Sequence, residues 1–547
     1  MCTSVTKNKP SHSEPGSKTT KIIRGVVSTM AKQMFFIIRS YLDMIIDLIF
    51  SFFYEGKKQA LPALEKRHSI LTESAVSLAA KIRNKELKSE DLVNACIERI
   101  QIVNPIVNAV TDERFDEARK EAREVDQMIA AGLSDEEFQK KPFLGVPFTA
   151  KESHGVAGLL QTLGVRSRAH VRAHEDAQCV TLLRAAGAIP VAVTNVPEIN
   201  KWAETRNMLF GVTRSPFHAG RTVGGSSGGE AALAACVASP ISLCSDIGGS
   251  TRMPAFYCGL FALNPTAGFT SLKGSVLRSG KDDTMASIGF VSRHCSDLAP
   301  LTKVIAEDKA AELQLDRVVD LKDVKYFYVE SAQDLRVSPI YPDLRKAMSK
   351  VITKLSEEAP SSDVSPKRYY HAGFDHMYSL WRYWMTRETE VFAKMLTNNQ
   401  GEAKALLELP KKLVGMSEYT LAAIFKLFDD QVLPRVNKDW AEKLTNELKE
   451  DLLNNLGSTG VLLFPSAPAP APYHGSAYLR PFNFAYWAIF NVLRCPAVQV
   501  PLGLSDEGLP LGIQVVAVPK NEALCLAVAE HLGKIFGGFV PPCAVLD

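Results

Sequence analysis

Residues 223–256 read VGGSSGGEAALAACVASPISLCSDIGGSTRMPAF and hold two Gly/Ser loops separated by a helix-like run and a strand-like run. Glycine at this density lets backbone N–H groups approach a ligand closely and point inwards together, and each loop leads into a helix whose N-terminus adds partial positive charge. Such loops hold oxyanions. A phosphate loop would need G-x-x-x-x-G-K-[ST], with the lysine inside it, and neither loop has one. Residues 224–228, Gly224 to Gly228, match the G-x-S-x-G nucleophile elbow formally, but that elbow must follow a buried strand, and 217–223, FHAGRTV, is no such strand. Ser250 is the better candidate nucleophile: ISLCSD is a short apolar run, DIGG a tight turn, and STRMPAF can start a helix directly behind it. The N–H groups of Ile247, Gly248, Gly249 and Ser250 can converge there on a developing oxyanion, where losing one donor raises an acyl-transfer barrier by about 3–4 kcal/mol.

A nucleophilic serine needs a base. None of the 11 histidines sits in a loop resembling a site. His170 and His174 are spaced like metal ligands on a helix, yet Arg168 and Arg172 lie among them and no third ligand is evident, so they read as surface residues. Lys151 follows GVPFTA and precedes ESHG, which places an ammonium at the end of a largely apolar strand. Burial there would lower its pKa towards neutrality and free it as a base. Read alone, a lysine after a strand is more often surface decoration.

Around this centre the chain has an α/β rhythm. The stretches SAVSLAAKIRNKEL, SEDLVNACIERIQIVN and ERFDEARKEAREVDQMIAAG carry apolar residues at three and four spacing, with Ser89, Glu90 and Asp91 as a start signal and Gly132 as a stop. Short apolar runs then alternate with helices up to residue 260. A zone from about 300 to 455 is mostly helical and charged, with one strand-like run at KYFYVES, and reads as a cover or substrate-facing insertion. Strands return in GVLLFPS, PAVQVPLG and LPLGIQVVA before a last helix, ALCLAVAEHLGKIF. Nothing between 70 and 547 has the composition of a flexible linker, so these strands are expected in the same sheet.

With 547 residues, 46% of them hydrophobic and 22% charged, the chain can bury a large core. Its 63 basic and 60 acidic residues nearly cancel, which leaves no field favouring nucleic acid. Ten scattered cysteines without a C-x-x-C pair argue against a disulfide framework and a tetrahedral zinc site.

Residues 1–33 are polar and basic and are expected to be a disordered tail. Residues 34–54, MFFIIRSYLDMIIDLIFSFFY, are long enough to cross a bilayer, and twelve Phe, Ile and Leu residues favour insertion by about 0.3–0.6 kcal/mol each. Arg39, Asp43 and Asp47 oppose it by about 2.5–3.5 kcal/mol each near the centre of a span, and they recur at i, i+4 and i+8 as one polar stripe. Two arrangements follow: a single-pass span whose stripe is covered by a second copy, or an interfacial helix with the stripe towards water. In either case the segment is expected to be a membrane anchor on an endomembrane. A span would put the N-terminus in the cytoplasm and the remaining chain in the lumen, against which stands the absence of any N-x-S/T sequon with x other than Pro.

G-V-P-x-x-x-K at 145–151, G-G-S-S-G-G-E at 224–230 and D-I-G-G-S-x-R-x-P at 246–254 resemble the amidase signature family in order, spacing and residue type. The resemblance extends through LLRAAGAIPVAVTN, RPFNFAY and LPLGIQVVA, so it covers about 70–540, and with the N-terminal apolar segment it looks most like the fatty-acid amide hydrolase branch. It implies an α/β/α sandwich with a large mixed central sheet. It also implies a Ser-Ser-Lys triad of Lys151 as base, Ser226 as proton bridge and Ser250 as nucleophile, without metal or cofactor. The implied partners are a lipophilic amide substrate and membrane lipid, with a homodimer left open. Where relatives usually read G-x-K-P-S-x-G, this chain has Ala262, Asn264, Pro265, Thr266 and Gly268, so a basic group is missing there. Competing readings are a glutamine-dependent amidotransferase of the same fold and a catalytically silent membrane-bound binding protein.

Overall fold

The computed structural model describes residues 16–276, 283–388 and 391–546, with side chains from residue 30 onward. Thirteen strands occur among them: β1 Val110–Glu113, β2 Pro147–Lys151, β3 Ile189–Thr194, β4 Arg206–Asn207, β5 Gly211–Val212, β6 Ile241–Asp246, β7 Phe261–Asn264, β8 Ser287–Ser292, β9 Lys325–Tyr328, β10 Lys367–Arg368, β11 Gly460–Pro465, β12 Ala497–Leu504 and β13 Pro510–Val516. β4 and β5 form a small hairpin. The others make one mixed sheet in the order β1-β3-β2-β6-β8-β7-β12-β13-β11-β9-β10.

Side chains alternate between the faces of a strand, so a sheet wet on one side shows alternating burial. Strands β2, β3, β8, β11 and β13 are buried at every position, which requires cover on both faces. Helix Gly228–Ala235 packs against β2, β6 and β8, helix Arg252–Tyr257 against β7, β12 and β13, and helix Glu522–Phe536 against β12 and β13. Their sequences are apolar on nearly every side because they lie between the sheet and further cover. The strand-like run at 325 pairs in parallel with β11, Val461 opposite Tyr326, so the zone from 300 to 455 extends the sheet as well as covering it.

Strand β2 lies parallel to both β3 and β6, with Lys151 opposite Thr194 and Ala150 opposite Leu243. The carboxyl ends of β2 and β3 are therefore level with one another, and β6 runs two residues beyond them. In open α/β sheets ligands bind at such ends, where the loops leave the strands.

The N-terminal helix departs from expectation in two ways. It runs from Gly16 to Tyr54, so residues 16–33 are helical where a disordered tail was expected; residues 1–15 lie outside the described part. Pro15 can precede a helix start, and no proline follows before Pro62, so the backbone has no reason to break. The polar stripe turns towards the protein's own domain. Asp43 is 1% exposed and pairs with Arg39 at 3.3 Å, Asp47 pairs with Arg480, and Lys32 reaches Asp375 at 2.6 Å. The opposite face is left bare, with Ile37, Ile38, Tyr41, Leu48, Phe52 and Phe53 all exposed. Neither the single-pass span sealed by a second copy nor the stripe facing water describes this helix: among the described residues no helix is long and apolar enough to cross a membrane. The three charges that spoil a span are those that dock the helix.

Candidate active site

Lys151 ends β2 and is 1% exposed. Its Nζ lies 2.7 Å from Ser226 Oγ, 3.1 Å from Ser245 Oγ and 3.4 Å from the Ser245 carbonyl oxygen. The first Gly/Ser loop brings Ser226 there, and its Gly225–Ser226 peptide is cis. A side chain at Gly225 would place its Cβ 2.2 Å from the Trp202 carbonyl oxygen, so only glycine lets the loop lie this close to the 202–205 segment. The two loops are joined by the Ser227 N–H, which donates to the Ser250 carbonyl at 3.1 Å.

Asp246 organises the second loop. Its carboxylate accepts the N–H of Gly249 at 2.7 Å, of Thr251 at 3.1 Å and of Arg252 at 3.3 Å, and the Arg252 guanidinium at 3.1 Å. Arg252 in turn donates to Gln514 and Asn491, both at 2.7 Å. Asp246 and Arg252 are both fully buried. Burial alone would push the Asp246 carboxyl up, but the Arg252 charge and these hydrogen bonds outweigh it and hold the carboxyl below its ordinary value. The arrangement commits the Gly249 N–H to Asp246, so of the four expected oxyanion donors those of Ile247, Gly248 and Ser250 have no partner among the described hydrogen bonds. Gly249 has φ +104°, and an added Cβ would lie 2.5 Å from Trp487 Cβ; the turn needs glycine on both counts.

Lys151, Ser226, Ser245 and Ser250 line one small cavity of about 30 Å³. Ser250 also lines a much larger cavity of about 430 Å³, walled by Trp202, Met253, Tyr378, Trp381, Phe425, Phe428 and Phe484 among others. Ser250 thus stands where a polar chamber meets an apolar one. Trp381 closes the junction by donating its Nε1–H to the Ile247 carbonyl at 2.9 Å. Ser250, Ser226 and Lys151, named from sequence, are brought together. His170 and His174 are exposed and lie off any helix.

Sequence reasoning assigned no role to Ser245, Trp381 or His154. Ser245 precedes Asp246 in the quoted stretch, so its place at the end of β6 was there to be read. Trp381 enters from the helical zone, and no local pattern ties it to the loops. His154 shares a hydrogen bond with Ser275 Oγ at 2.8 Å, and burial together with the Lys151 charge pushes its imidazole down to about 3. It stays neutral and is unsuited to act as the base.

The amidase family model matches residues 91–526 of this chain. Fatty-acid amide hydrolase 2 of Homo sapiens is 39% identical over 487 residues, covering 86% of this chain and 91% of the relative. Fatty-acid amide hydrolase 2-B of Danio rerio is 38% identical, covering 87% of this chain and 92% of the relative. Among solved structures, one titled fatty acid amide hydrolase superposes with a TM-score of 0.66 at 22% identity, covering 87% of each chain, which supports the fold. The chain belongs to the amidase family and is a hydrolase of carboxamide bonds.

Proposed function

We propose that the chain hydrolyses fatty-acid amides, N-acylethanolamines and primary fatty amides included, through an acyl-enzyme formed on Ser250. The observation that carries this is the 2.7 Å contact between Lys151 Nζ and Ser226 Oγ in a polar chamber that Ser250 shares with an apolar cavity of about 430 Å³. Neutral Lys151 takes the proton of Ser226 Oγ while Ser226 takes that of Ser250, whose oxygen bonds to the amide carbon. The carbonyl electron pair moves onto oxygen, facing the N–H groups of Ile247, Gly248 and Ser250. As the C–N bond breaks, the proton returns from the Lys151 ammonium through Ser226 to the leaving nitrogen. Water then cleaves the ester by the same relay.

The cavity wall is mostly aromatic and aliphatic, with Asn200, Lys201, Lys426 and Asp429 among its polar members, and its size and ring lining suit an alkyl chain, which favours this reading over the amidotransferase one. The bare apolar face of the N-terminal helix suits attachment to lipid, with the helix lying on the membrane surface and the domain beyond residue 70 resting on its polar stripe. A lipophilic substrate would then reach the cavity from the bilayer. Labelling by a fluorophosphonate probe tests the nucleophile: it should disappear in Ser250→Ala, and persistent labelling there would reject Ser250. Turnover of long-chain against small soluble amides tests the substrate class, and a preference for the small ones would reject it.

A further inference from the structure

Glu230 lies two residues into helix Gly228–Ala235, directly behind the first Gly/Ser loop, and is fully buried. Its carboxylate accepts from Thr149 Oγ at 2.6 Å and from Thr194 Oγ at 2.7 Å. Thr149 stands two residues before Lys151 on β2, so both side chains share one face of the sheet. Thr194 is directly opposite Lys151 in the parallel β2–β3 ladder and presents the same face. The carboxylate is thus seated in a layer immediately inward of the lysine, held by two hydroxyls that flank the lysine in the ladder. A carboxylate whose side-chain partners are neutral hydroxyls does not spend its charge on an ion pair among the described residues, so a nearby cation feels whatever charge it carries.

We propose that Glu230 is the buried counter-charge of Lys151: a positioning residue that stabilises the ammonium formed each time the lysine takes up the proton of the serine relay. This rests on the Ser-Ser-Lys reading. The other charged groups around the helix are otherwise engaged. Arg252 is taken up by Asp246, while Arg99 and Arg293 donate to the carbonyls of Cys236 and Ala234 at the far end of the helix. Burial pushes the Cys244 thiol of β6 well above its ordinary range, and His154 is neutral, so neither competes for the lysine's charge. Burial also raises Glu230 itself to about 7, offset by its hydroxyl donors, so its charge is in play near neutrality.

The sign follows from charge. An ionised Glu230 favours the ammonium and raises the pH at which Lys151 becomes a base. The test is the rate of fluorophosphonate labelling of the full chain across pH 5–10. In Glu230→Gln the acid limb should move down by about one pH unit, with the plateau falling roughly tenfold. In Thr194→Val the carboxyl loses a donor, holds its proton to higher pH and leaves less counter-charge, so the limb should move the same way by less. An acid limb that stays at its wild-type position in Glu230→Gln overturns the proposal, whatever happens to the plateau, since a purely structural role lowers the plateau without moving the limb. Should Glu230→Gln fail to fold, an unmoved limb in Thr194→Val has the same force. Lys151→Ala separates the two readings: if it keeps the wild-type limb the triad fails, whereas if it loses the limb and Glu230→Gln does not move it, only the role of Glu230 fails.

Discussion

The Asp47 carboxylate of the N-terminal helix is ion-paired with Arg480, a residue 4% exposed that lies 433 positions later in the chain. The Tyr341 hydroxyl completes the cluster by bonding both partners. Arg480 immediately precedes Pro481, Phe482 and Phe484, which line the large apolar cavity, so the helix is tied to the wall of that cavity. Asp47→Asn should cost about 1–3 kcal/mol, less than breaking a fully buried pair because Asp47 remains partly exposed. Thermal unfolding should show the loss, and KM for long-chain amides should rise more than KM for short ones. An unchanged melting curve would mean that the helix docks without contributing to the domain.

A second prediction concerns pH. Glu198 is 3% exposed and accepts both the N–H of Thr420, at 2.8 Å, and its hydroxyl, at 2.5 Å, which fixes the start of helix Leu421–Gln431 and with it Phe425 and Phe428 of the cavity. Burial raises its carboxyl to about 7, against the pull of Thr420, Lys412 and Arg166. A carboxyl raised on folding binds more protons in the native state than in the unfolded one. Its favourable contribution is complete below the unfolded value near 4.5 and is lost as pH rises through about 7. Glu198→Gln, which keeps an acceptor without the charge, should therefore match wild type at about pH 4 and exceed it at about pH 8 by on the order of 1–3 kcal/mol. Denaturant unfolding at the two pH values measures this, and equal differences at both would refute it.

The loops were legible because their chemistry is local: glycines at fixed offsets, a turn after an apolar run, a serine in the turn. The α/β alternation was legible for the same reason, since period and punctuation are local properties. The reach of the N-terminal helix was not, because a polar stripe has the same pattern whether it faces water, lipid or protein. Partners remote in sequence, Arg480 and Tyr341 among them, decide which it faces. Trp381 was hidden likewise: its bond to the Ile247 carbonyl spans 134 positions.

That bond gives a third prediction. Trp381→Phe keeps the ring in the cavity wall but releases the Ile247 carbonyl, so the neighbouring N–H groups lose part of their fixed aim. Acylation should fall roughly fivefold, as expected for one hydrogen bond of about 1 kcal/mol, with little change in unfolding temperature. A wild-type acylation rate would show that the loop holds its shape through Asp246 alone. Gly249→Ala serves as the severe counterpart, since its Cβ would collide with Trp487 at 2.5 Å in a backbone conformation that alanine rarely adopts. It should abolish labelling.

Ser245 offers the last test, because it touches Lys151 without standing in the relay proposed for Lys151, Ser226 and Ser250. Its hydroxyl, 3.1 Å from Nζ, and its carbonyl, 3.4 Å away, give the lysine two further anchors beside Ser226, so they aim Nζ at the relay and take no proton themselves. Ser245→Ala removes the hydroxyl and leaves the carbonyl. Acylation should fall about three- to tenfold, the worth of one hydrogen bond of about 0.7–1.4 kcal/mol to a neutral amine. Ser226→Ala, which cuts the relay, should cost far more, on the order of the hundredfold or greater loss typical of a missing proton-transfer group. Stopped-flow acylation by the same long-chain amide ranks the two. Should Ser245→Ala prove as damaging as Ser226→Ala, the proton would have to travel through Ser245, and the order of the relay would need to be redrawn.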